Sequence, residues 1–172
     1  MKRVMIIGQP GSGKSTLARA LGERTGLPVY HIDMIHWMSG WQERSLEEKT
    51  RLCLEVHAKD AWIFEGGHST TWPDRLTRCD TLIWLDVPLG KRFRRVIWRT
   101  MSDYGKTRPD LPEGCPEQFS FEFMKWIWDT RKSARHGCQK FYELAKAQKT
   151  ALHLITDQDV SELLSNLPKQ SD

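Results

Sequence analysis

The sequence predicts an α/β fold in which the strands of a parallel sheet alternate with helices. Three observations carry this prediction: short apolar runs recur along the chain, segments with helical periodicity separate them, and a glycine-rich turn joins the first run to the first helix. The five runs occupy residues 3–7, 27–32, 62–64, 81–88 and 151–155. Strands joined through helices lie parallel in one sheet with helices on both faces. With 172 residues, we expect one domain covering 1–172.

The composition predicts a soluble, cytoplasmic protein with no membrane partner. Hydrophobic residues make up 39% and charged residues 28% of the chain, which carries a net charge of +4. No apolar run approaches the ~20 residues of a membrane span, and the apolar segment 4–7 is too short for a signal peptide. The cysteines lie far apart and predict free thiols in a reducing compartment, with a zinc site not expected. They are Cys53, Cys79, Cys115 and Cys138.

The first apolar run leads into a turn that fits the pattern G-x-x-x-x-G-K-[ST] at every fixed position. Glycines let consecutive backbone N–H groups point into one concavity, and the positive end of the following helix dipole adds to it. Lys14 supplies a charge for the outer phosphates, and Ser15 a hydroxyl ligand for Mg²⁺. The turn therefore predicts a nucleoside triphosphate site, with ATP and Mg²⁺ as the cofactors. The residues predicted to bind the nucleotide are Gly8, Gly11, Ser12, Gly13, Lys14, Ser15 and Thr16.

The second strand is predicted to end at an acidic residue, Asp33. Ligands of open parallel sheets bind beyond the carboxyl ends of the strands, so Asp33 is expected on the rim that holds the glycine-rich turn. There it holds Mg²⁺ through water or accepts a hydrogen bond from a substrate hydroxyl; the alternative is that it caps the next turn. Trp37 and Trp41, in an acceptor-side segment at about 34–60, are either a wall that stacks on a flat ligand or a hydrophobic clamp against the next helix.

The third strand ends in Glu65, which two glycines follow. Gly66 and Gly67 allow a ligand or the phosphate-binding turn to approach the backbone closely. Glu65 is our candidate for a carboxylate that supports Mg²⁺ from behind its direct ligands, or for the base that takes a proton from a phosphoryl acceptor. The alternative is a partly exposed glutamate at the edge of the sheet.

A basic helix follows the fourth strand and belongs to the most positive third of the chain. Between Val87 and Lys140, 12 lysines and arginines stand against 6 acidic residues. Arg95 and Arg99 are four residues apart, so they point the same way and suit a phosphoryl group in transfer. The alternative is a solvated basic face. The excess charge also suits nucleic acid, although no DNA-reading motif is recognisable.

The chain then loses its periodicity in a segment rich in glycine and proline. We expect this segment, at about 100–116, to be a mobile lid over the site. Residues 117–147 are predicted to form one long helical region that carries Arg131 and Arg135, again four apart, with a bend at Gly137. The last few residues are expected to form a frayed tail.

These features together resemble the nucleoside monophosphate kinase and shikimate kinase branch of the P-loop proteins. The resemblance implies a three-layer P-loop NTPase fold, with a five-stranded parallel sheet of order 2-3-1-4-5 and a lid after the fourth strand. Arg95 and Arg99 match the R-x-x-x-R with which adenylate-kinase-like enzymes begin their lid and grip phosphates. Arg131 and Arg135 match a further pair after that lid.

The resemblance also implies acceptor-binding residues. Glu65-Gly66 stands where those kinases have Asp-Gly, and Asp33 stands where shikimate-type kinases have their first acidic residue. The acceptor pattern that follows the glycines in adenylate kinases is absent, and Arg75 is the expected replacement for its arginine. The residues expected to bind the acceptor are Asp33, Trp37, Trp41, Gly66, Arg75 and Arg135.

Several strings resemble, more closely, bacterial DNA topology modulation proteins of the FlaR type, which are P-loop kinase-like. The strings run from His31-Ile32-Asp33 to Trp41, over residues 62–66, over Arg108-Pro109-Asp110 and over Gly114-Cys115-Pro116-Glu117. The resemblance implies an ATP-dependent phosphotransferase that acts on a small-molecule acceptor, with nucleotide-like molecules among the options.

In this hypothesis the transferring phosphoryl group is stabilised by positive side chains and the acceptor is oriented by Asp33 or Glu65. The stabilising residues are Lys14, Arg95, Arg99 and Arg131. Two alternatives stay open: an ATP-regulated, DNA-associated protein that binds nucleic acid through its basic lid region, and a bare NTPase without an acceptor.

Overall fold

The structure is a computed structural model that describes residues 1–167. Its regular elements alternate between strands and helices along the chain. They are β1 (Arg3–Gly8), α1 (Lys14–Thr25), β2 (Val29–His31), α2 (Ile32–His36), β3 (Trp37–Met38), β4 (Gln42–Glu43), α3 (Leu46–His57), β5 (Trp62–Glu65), α4 (Trp72–Arg78), β6 (Thr81–Leu85), α5 (Leu89–Ser102), α6 (Phe121–Asp129), α7 (Arg131–Lys146), β7 (Thr150–Leu154) and α8 (Asp157–Ser165).

Five of the strands form one parallel sheet in the order β2-β5-β1-β6-β7. When only these five strands are counted along the chain, the order is 2-3-1-4-5, so the predicted α/β fold with a five-stranded parallel sheet is confirmed. The remaining two strands, β3 and β4, form a small antiparallel hairpin that the sequence analysis did not predict. This hairpin lies within the acceptor-side segment.

Helices cover both faces of the sheet because successive strand residues point to opposite sides. Val4 and Ile6 pack against α1 and α8 on one face. Met5 and Ile7 pack against α3, α4 and α7 on the other. All four side chains are fully buried, and each contributes ~1.5–3 kcal/mol to folding. Because the five strands are parallel, their carboxyl ends lie along one edge of the sheet, the rim. Predicted site residues lie at this rim.

Two predictions about secondary structure are wrong. The region 117–147 is not one helix bent at Gly137: it divides into α6 and α7 at Thr130, while Gly137 lies within α7. Ser120 caps α6 by accepting a hydrogen bond from the backbone N–H of Phe123 at 3.1 Å, which fixes where that helix begins. Asp33 does not end a strand: β2 stops at His31, and Asp33 lies in the short helix α2.

The lid begins three residues later than expected, because α5 continues to Ser102. Residues 103–120 form an irregular segment whose base is closed by backbone bridges between Tyr104 and Glu117 and between Thr107 and Pro116. The predicted frayed tail lies mostly outside the described residues.

All four cysteines are buried free thiols, as predicted. In residues 1–167, none of the helices is both long enough and apolar enough to cross a membrane.

Candidate nucleotide and acceptor site

The glycine-rich turn lies between the end of β1 and the start of α1, as its sequence predicts. Gly11 and Gly13 have φ angles of 75° and 95°, a region that side chains other than glycine rarely occupy. At Gly11 a Cβ atom would lie 2.6 Å from the carbonyl oxygen of Arg92, so a larger residue would push α5 away from the turn. The backbone geometry therefore depends on these glycines.

The turn presents hydrogen-bond donors that have no acceptor among the described residues. No side chain caps the first turn of α1, and the buried hydroxyl of Ser12 has no partner within residues 1–167. Within residues 1–167, the ammonium group of Lys14 donates only to a backbone carbonyl of the same turn, that of Gln9, at 3.2 Å. Unpaired buried polar groups are costly unless a ligand satisfies them, and a helix N-terminus favours an anion. The turn fits a phosphate chain.

Ser15 and Glu65 lie together on the rim. The Ser15 hydroxyl donates to Oε1 of Glu65 at 2.9 Å, and Nδ1 of His31 lies 2.9 Å from the same oxygen. Burial would raise the pKa of Glu65, but the hydrogen bond with His31 and the charge of Lys14 outweigh it and lower this pKa. Glu65 is therefore a buried, ionised carboxylate beside a hydroxyl. Hard oxygen ligands of this kind fit Mg²⁺, with Ser15 as ligand and Glu65 behind it.

Two arginines of α5 hold the phosphate-binding turn from the side. Arg95 donates from Nη1 to the carbonyl oxygen of Ser12 at 3.0 Å and pairs with Asp157 through Nη2. Arg92 is buried and donates to the carbonyl oxygens of Val87, at 3.1 Å, and Pro10, at 3.2 Å. The sequence analysis gave Arg92 no role, although its spacing of three from Arg95 places both on one side of the helix.

Arg99 lies one turn further along α5 and contacts the lid. Its Nη2 donates to Oε1 of Glu117 at 3.2 Å, and the hydroxyl of Thr100 donates to the same oxygen at 3.1 Å. Arg95 and Arg99 thus share a face, as predicted, but the first contacts the turn and the second the lid. Neither belongs to a freely solvated basic surface.

The lid is joined to the acceptor side by Arg108, which the sequence analysis gave no site role. Its guanidinium lies 3.0 Å from Asp110, 3.1 Å from Glu117 and 4.0 Å from Asp33. Asp110 also pairs with Arg19 of α1 at 3.4 Å. The sequence shows that the string Arg108-Pro109-Asp110 is charged, which was the available signal for a site residue. It does not show which side chains these residues pair with.

Asp33 faces a crowded cleft, although 41% of its side chain is still accessible. Desolvation in the cleft and the negative charge of Glu65 raise the pKa of Asp33 to about 6, against the opposing charges of Lys14 and Arg108. A carboxylate with this pKa is largely ionised at neutral pH and readily accepts a proton or a hydrogen bond.

The two tryptophans pack on each other, with ring centroids 5.3 Å apart in an edge-to-face arrangement. Trp41 has a φ of 60° and donates from its indole nitrogen to the carbonyl oxygen of Pro116 at 3.2 Å. The thiol of Cys115 donates to the carbonyl oxygen of Met38 at 3.2 Å. The hairpin therefore contacts the lid through Trp41 and Cys115, and it also contacts the next helix, where Lys49 of α3 donates to Glu43 of β4.

Arg75 is a core residue, which corrects its predicted place at the acceptor. It is 0% exposed, donates from Nε to Nε2 of His57 at 3.1 Å, and lies 3.8 Å over the ring of Phe64. Its Nη1 donates to the carbonyl oxygen of Gly66 at 3.1 Å. Gly66 itself is buried, and a Cβ atom there would lie 2.1 Å from the side chain of Ile32. Both residues thus shape the rim through packing and through the hydrogen bond between them.

The arginines of α7 lie away from the acceptor side. The side chain of Arg131 stacks on Trp128, with its guanidinium 4.1 Å from the ring centre, while its carbonyl oxygen accepts from the Gln9 side chain at 2.8 Å. Arg135 forms a bidentate pair with Asp86, which follows β6, at 2.9 and 2.7 Å. Arg135 was predicted to bind the acceptor. It lies at the end of β6, whereas Asp33 follows β2 on the other side of β1, so the position of Arg135 corrects this prediction.

The parallel sheet and the glycine-rich turn between β1 and α1 define the class of this protein as a P-loop fold. The family described as an AAA domain matches residues 4–119, which is more than half of the chain. The chain therefore belongs to this family.

Three curated proteins and one solved structure are similar to this chain, and all but one of them are kinases by name. A cytidylate kinase of Aeropyrum pernix is 28% identical over 169 residues, which cover 89% of this chain and 87% of that protein. A shikimate kinase of Paracidovorax citrulli is 30% identical, with 66% and 68% covered. Threonine synthase-like 1 of Mus musculus is 30% identical over 55% of this chain, but the chain spans only 15% of that protein's length. A solved shikimate kinase from Acinetobacter baumannii, in complex with shikimate, shares the fold at 16% identity, with a TM-score of 0.56 and coverage of 96% and 89%.

Proposed function

We propose that this protein is an ATP-dependent kinase that transfers the γ-phosphoryl group of ATP to a small-molecule acceptor. The observation that carries the proposal is the phosphate-binding turn, whose unpaired donors lie on the same rim as Asp33 and Glu65. Glu65 is joined to the turn by the hydrogen bond from Ser15. A nucleotide and an acceptor would therefore meet at the carboxyl edge of the sheet, where ligands of such folds bind.

Catalysis in this site rests on positioning and neutralisation of charge, since phosphoryl transfer needs little covalent help from the protein. The turn would hold the triphosphate, with Ser15 and Glu65 serving Mg²⁺. Lys14, Arg95 and Arg99 would stabilise the transferring group. Asp33 would orient the acceptor hydroxyl or take its proton. Arg131 would contribute through its backbone carbonyl group, which accepts a hydrogen bond from the turn.

The relatives suggest two chemical classes of acceptor, a nucleoside monophosphate such as cytidylate and a hydroxylated ring such as shikimate. The resemblance to FlaR-type topology modulation proteins does not indicate a further class of acceptor. We propose a cytoplasmic location, which the buried free thiols support.

Binding of nucleic acid is the less supported alternative. Many arginines of the basic third of the chain are engaged inside the domain, by carbonyl groups or carboxylates, rather than forming one open patch. If DNA bound through this region, its affinity would fall by ~10³-fold or more between 50 and 200 mM salt for six or more phosphate contacts. Binding of Mg-ATP should change far less over that range.

A thermal-shift screen tests the proposal directly. Mg²⁺ with a non-hydrolysable ATP analogue at ~100 times its dissociation constant should stabilise the protein by ~2.7 kcal/mol. Nucleosides, sugars and metabolites are then added to the loaded protein, and compounds that shift the midpoint further are assayed for ADP release with ATP. Absence of stabilisation by the analogue would refute the proposal. ADP release that no compound accelerates would indicate a bare NTPase.

A further inference from the structure

Helix α5 has large apolar side chains on its outer side, while three of its arginines point inward. Arg92 is buried, Arg95 contacts the phosphate-binding turn and Arg99 contacts the lid. On the outer side, Trp98 and Met101 are 70% and 71% exposed. A surface helix normally buries its apolar stripe and exposes its charges. The outer side of α5 therefore has the composition of a surface that a partner covers.

The exposed apolar side chains are concentrated beside the base of the lid. Within residues 1–167, the five large apolar residues that are most exposed, at 64–71%, all lie between positions 98 and 121. We call them the lid-base patch: Trp98, Met101, Tyr104, Phe119 and Phe121. Single exposed apolar residues are normal on a protein surface, whereas a cluster of large ones marks an interaction site.

Contacts at both ends of α5 bring the two parts of the patch together. Tyr104, just after α5, forms a backbone bridge with Glu117, just before α6. Near the start of α5, the ring of Phe93 packs against that of Trp128 in α6, with centroids 6.4 Å apart. The chain that follows the lid therefore runs back along α5, and both parts of the lid-base patch lie on neighbouring segments.

The patch is large enough to form the apolar part of a protein interface. Phe119 and Phe121 point to the same side, because Ser120 between them is extended, with φ −128° and ψ 116°. A fully covered aromatic residue buries ~150–250 Å², so the four aromatic residues of the patch, at about two thirds exposure, offer ~400–700 Å². A standard interface buries ~800 Å² on each partner, of which about 57% is apolar. The patch can therefore supply the apolar area of one such interface.

The exposed charges around the patch are balanced, which favours a second copy of this chain over an anionic partner. Between residues 94 and 129, three exposed basic residues stand against three exposed acidic ones: Arg94, Lys106 and Lys125 against Glu113, Glu122 and Asp129. An anionic membrane or a nucleic acid would require an excess of positive charge on this surface. A two-fold axis instead places the patch against itself, so that apolar groups meet and charges of both signs can pair.

We propose that this protein forms a two-fold symmetric dimer through the lid-base patch. The inference does not rest on the proposed kinase function. The lid does not cover the patch, because Tyr104 and Phe119 belong to the two ends of the lid itself. In the dimer the outer side of α5 is buried, while the side that carries Arg95 and Arg99 still faces the cleft.

The test compares the mass of the whole chain in solution with that of surface variants. Trp98→Glu and Phe121→Glu each place a carboxylate on both copies, so that like charges are brought together at the interface. Leu46→Glu is the matched control, because Leu46 is also apolar and is 61% exposed, but lies on α3 outside the patch. Each variant gains one negative charge, so only the position of the charge differs.

Sedimentation equilibrium over ~1–100 µM protein measures the dissociation constant of the dimer, which is micromolar or tighter for interfaces of standard size. We expect the wild type and Leu46→Glu to be dimers, and both patch variants to raise the dissociation constant at least tenfold. Circular dichroism shows whether each variant is folded. Trp98→Gln or Phe121→Gln, which removes the ring without adding a charge, replaces a charged variant that is not.

A wild type that stays a monomer at ~100 µM overturns the inference, and so does an assembly of more than two chains. An increase of less than tenfold in either patch variant overturns it as well, because the dimer would then form elsewhere. The same holds for an increase of tenfold or more in Leu46→Glu. A monomeric wild type that sediments with vesicles of phosphatidylglycerol and phosphatidylcholine would assign the patch to a membrane surface instead.

Discussion

The two halves of the cleft are built in different ways. The nucleotide half is one continuous stretch, Gly8–Ser15, whose donors come mostly from the backbone and whose shape is supported by Arg92 and Arg95. The acceptor half is assembled from side chains of separate segments, with Asp33, Arg108 and Glu117 joined through ion pairs. Among the described residues, the first half offers unpaired donors to an anion, while in the second half Arg19, Arg99 and Arg108 share the carboxylates of Asp110 and Glu117. The two halves therefore differ in how their charges are held: by the backbone of one turn in the first and by ion pairs between separate segments in the second.

The largest expected effect lies in the nucleotide half. Lys14→Ala should abolish ATP turnover, because no other side chain of the turn carries a positive charge to the outer phosphates. The melting temperature should stay within about 1 °C, since Lys14 contacts only a carbonyl group of its own turn. ADP release and thermal melting measure the two quantities, with the exposed Lys140→Ala as a control. Undiminished turnover would contradict the role of Lys14.

Arg99→Ala tests whether a residue bound to the lid also acts on the phosphates. We expect a loss of ~10³-fold in kcat, in the range of a removed arginine finger. Arg94→Ala, at an exposed position of the same helix, should change kcat by less than twofold. A loss of less than fivefold at Arg99 would show that it serves only to hold Glu117, and the two halves of the cleft would then be electrostatically separate.

The pH dependence of kcat/KM reports on the acceptor half. The pKa of Asp33 is raised to about 6, so the carboxylate is ionised above this pH and protonated below it. If Asp33 must accept the hydroxyl proton, kcat/KM should be level above pH 6 and fall tenfold per pH unit below it. Asp33→Asn should lower kcat/KM at pH 8 and remove this inflection. Retention of the inflection in the variant would assign it to another group.

The raised pKa of Asp33 also predicts an effect on the stability of the fold. Its direction is opposite to the effect on activity, because the ionised form that would act as a base is the less stable one. Because the folded state raises the pKa of Asp33, the ionised carboxylate destabilises the fold above pH 6, and this penalty disappears below the unfolded value near 4. Asp33→Asn should therefore raise the melting temperature at pH 8 more than at pH 4. Solvent screening of this partly exposed group limits the gain to ~1 kcal/mol. An equal change at both pH values would argue against the raised pKa.

The smallest effect is expected at Arg135, which lies outside both halves. Its side chain is 52% exposed and pairs with Asp86. Arg135→Gln should change kcat and KM by less than twofold and the free energy of unfolding by ~0–1 kcal/mol, as for other exposed pairs. Steady-state kinetics and denaturant melts measure both. A tenfold rise in KM for an acceptor would restore its predicted role there.

The predictions that succeeded rest on local patterns. Apolar runs and the G-x-x-x-x-G-K-[ST] turn depend on residues adjacent in sequence, so the five parallel strands and the geometry at Gly11 and Gly13 followed from them, whereas the sheet order came from the family resemblance. The bend assigned to Gly137 was wrong because Ser120 and Thr130 provide the helix boundaries instead. Glycine within α7 costs ~1 kcal/mol but does not end the helix.

The predictions that failed in the site depend on partners far away in sequence. Arg75 was expected to replace an acceptor arginine of adenylate kinases, yet it is buried against His57. Arg135 matches the spacing of an arginine pair in those kinases, yet it is held by Asp86. Arg108 was overlooked because its importance comes from Asp33 and Glu117, residues distant from it along the chain. An isolated charged residue in a sequence carries no information about which opposite charge it meets.

The sequence by itself determined the parallel α/β sheet and the anion-binding turn, because strand periodicity, glycine conformations and helix dipoles act over a few neighbouring residues. Only the tertiary structure decided which charges remain free. Ion pairs form between side chains brought together by the fold, and their strength depends on burial, so the ion pairs of Arg108 and the raised pKa of Asp33 exist only in the folded protein.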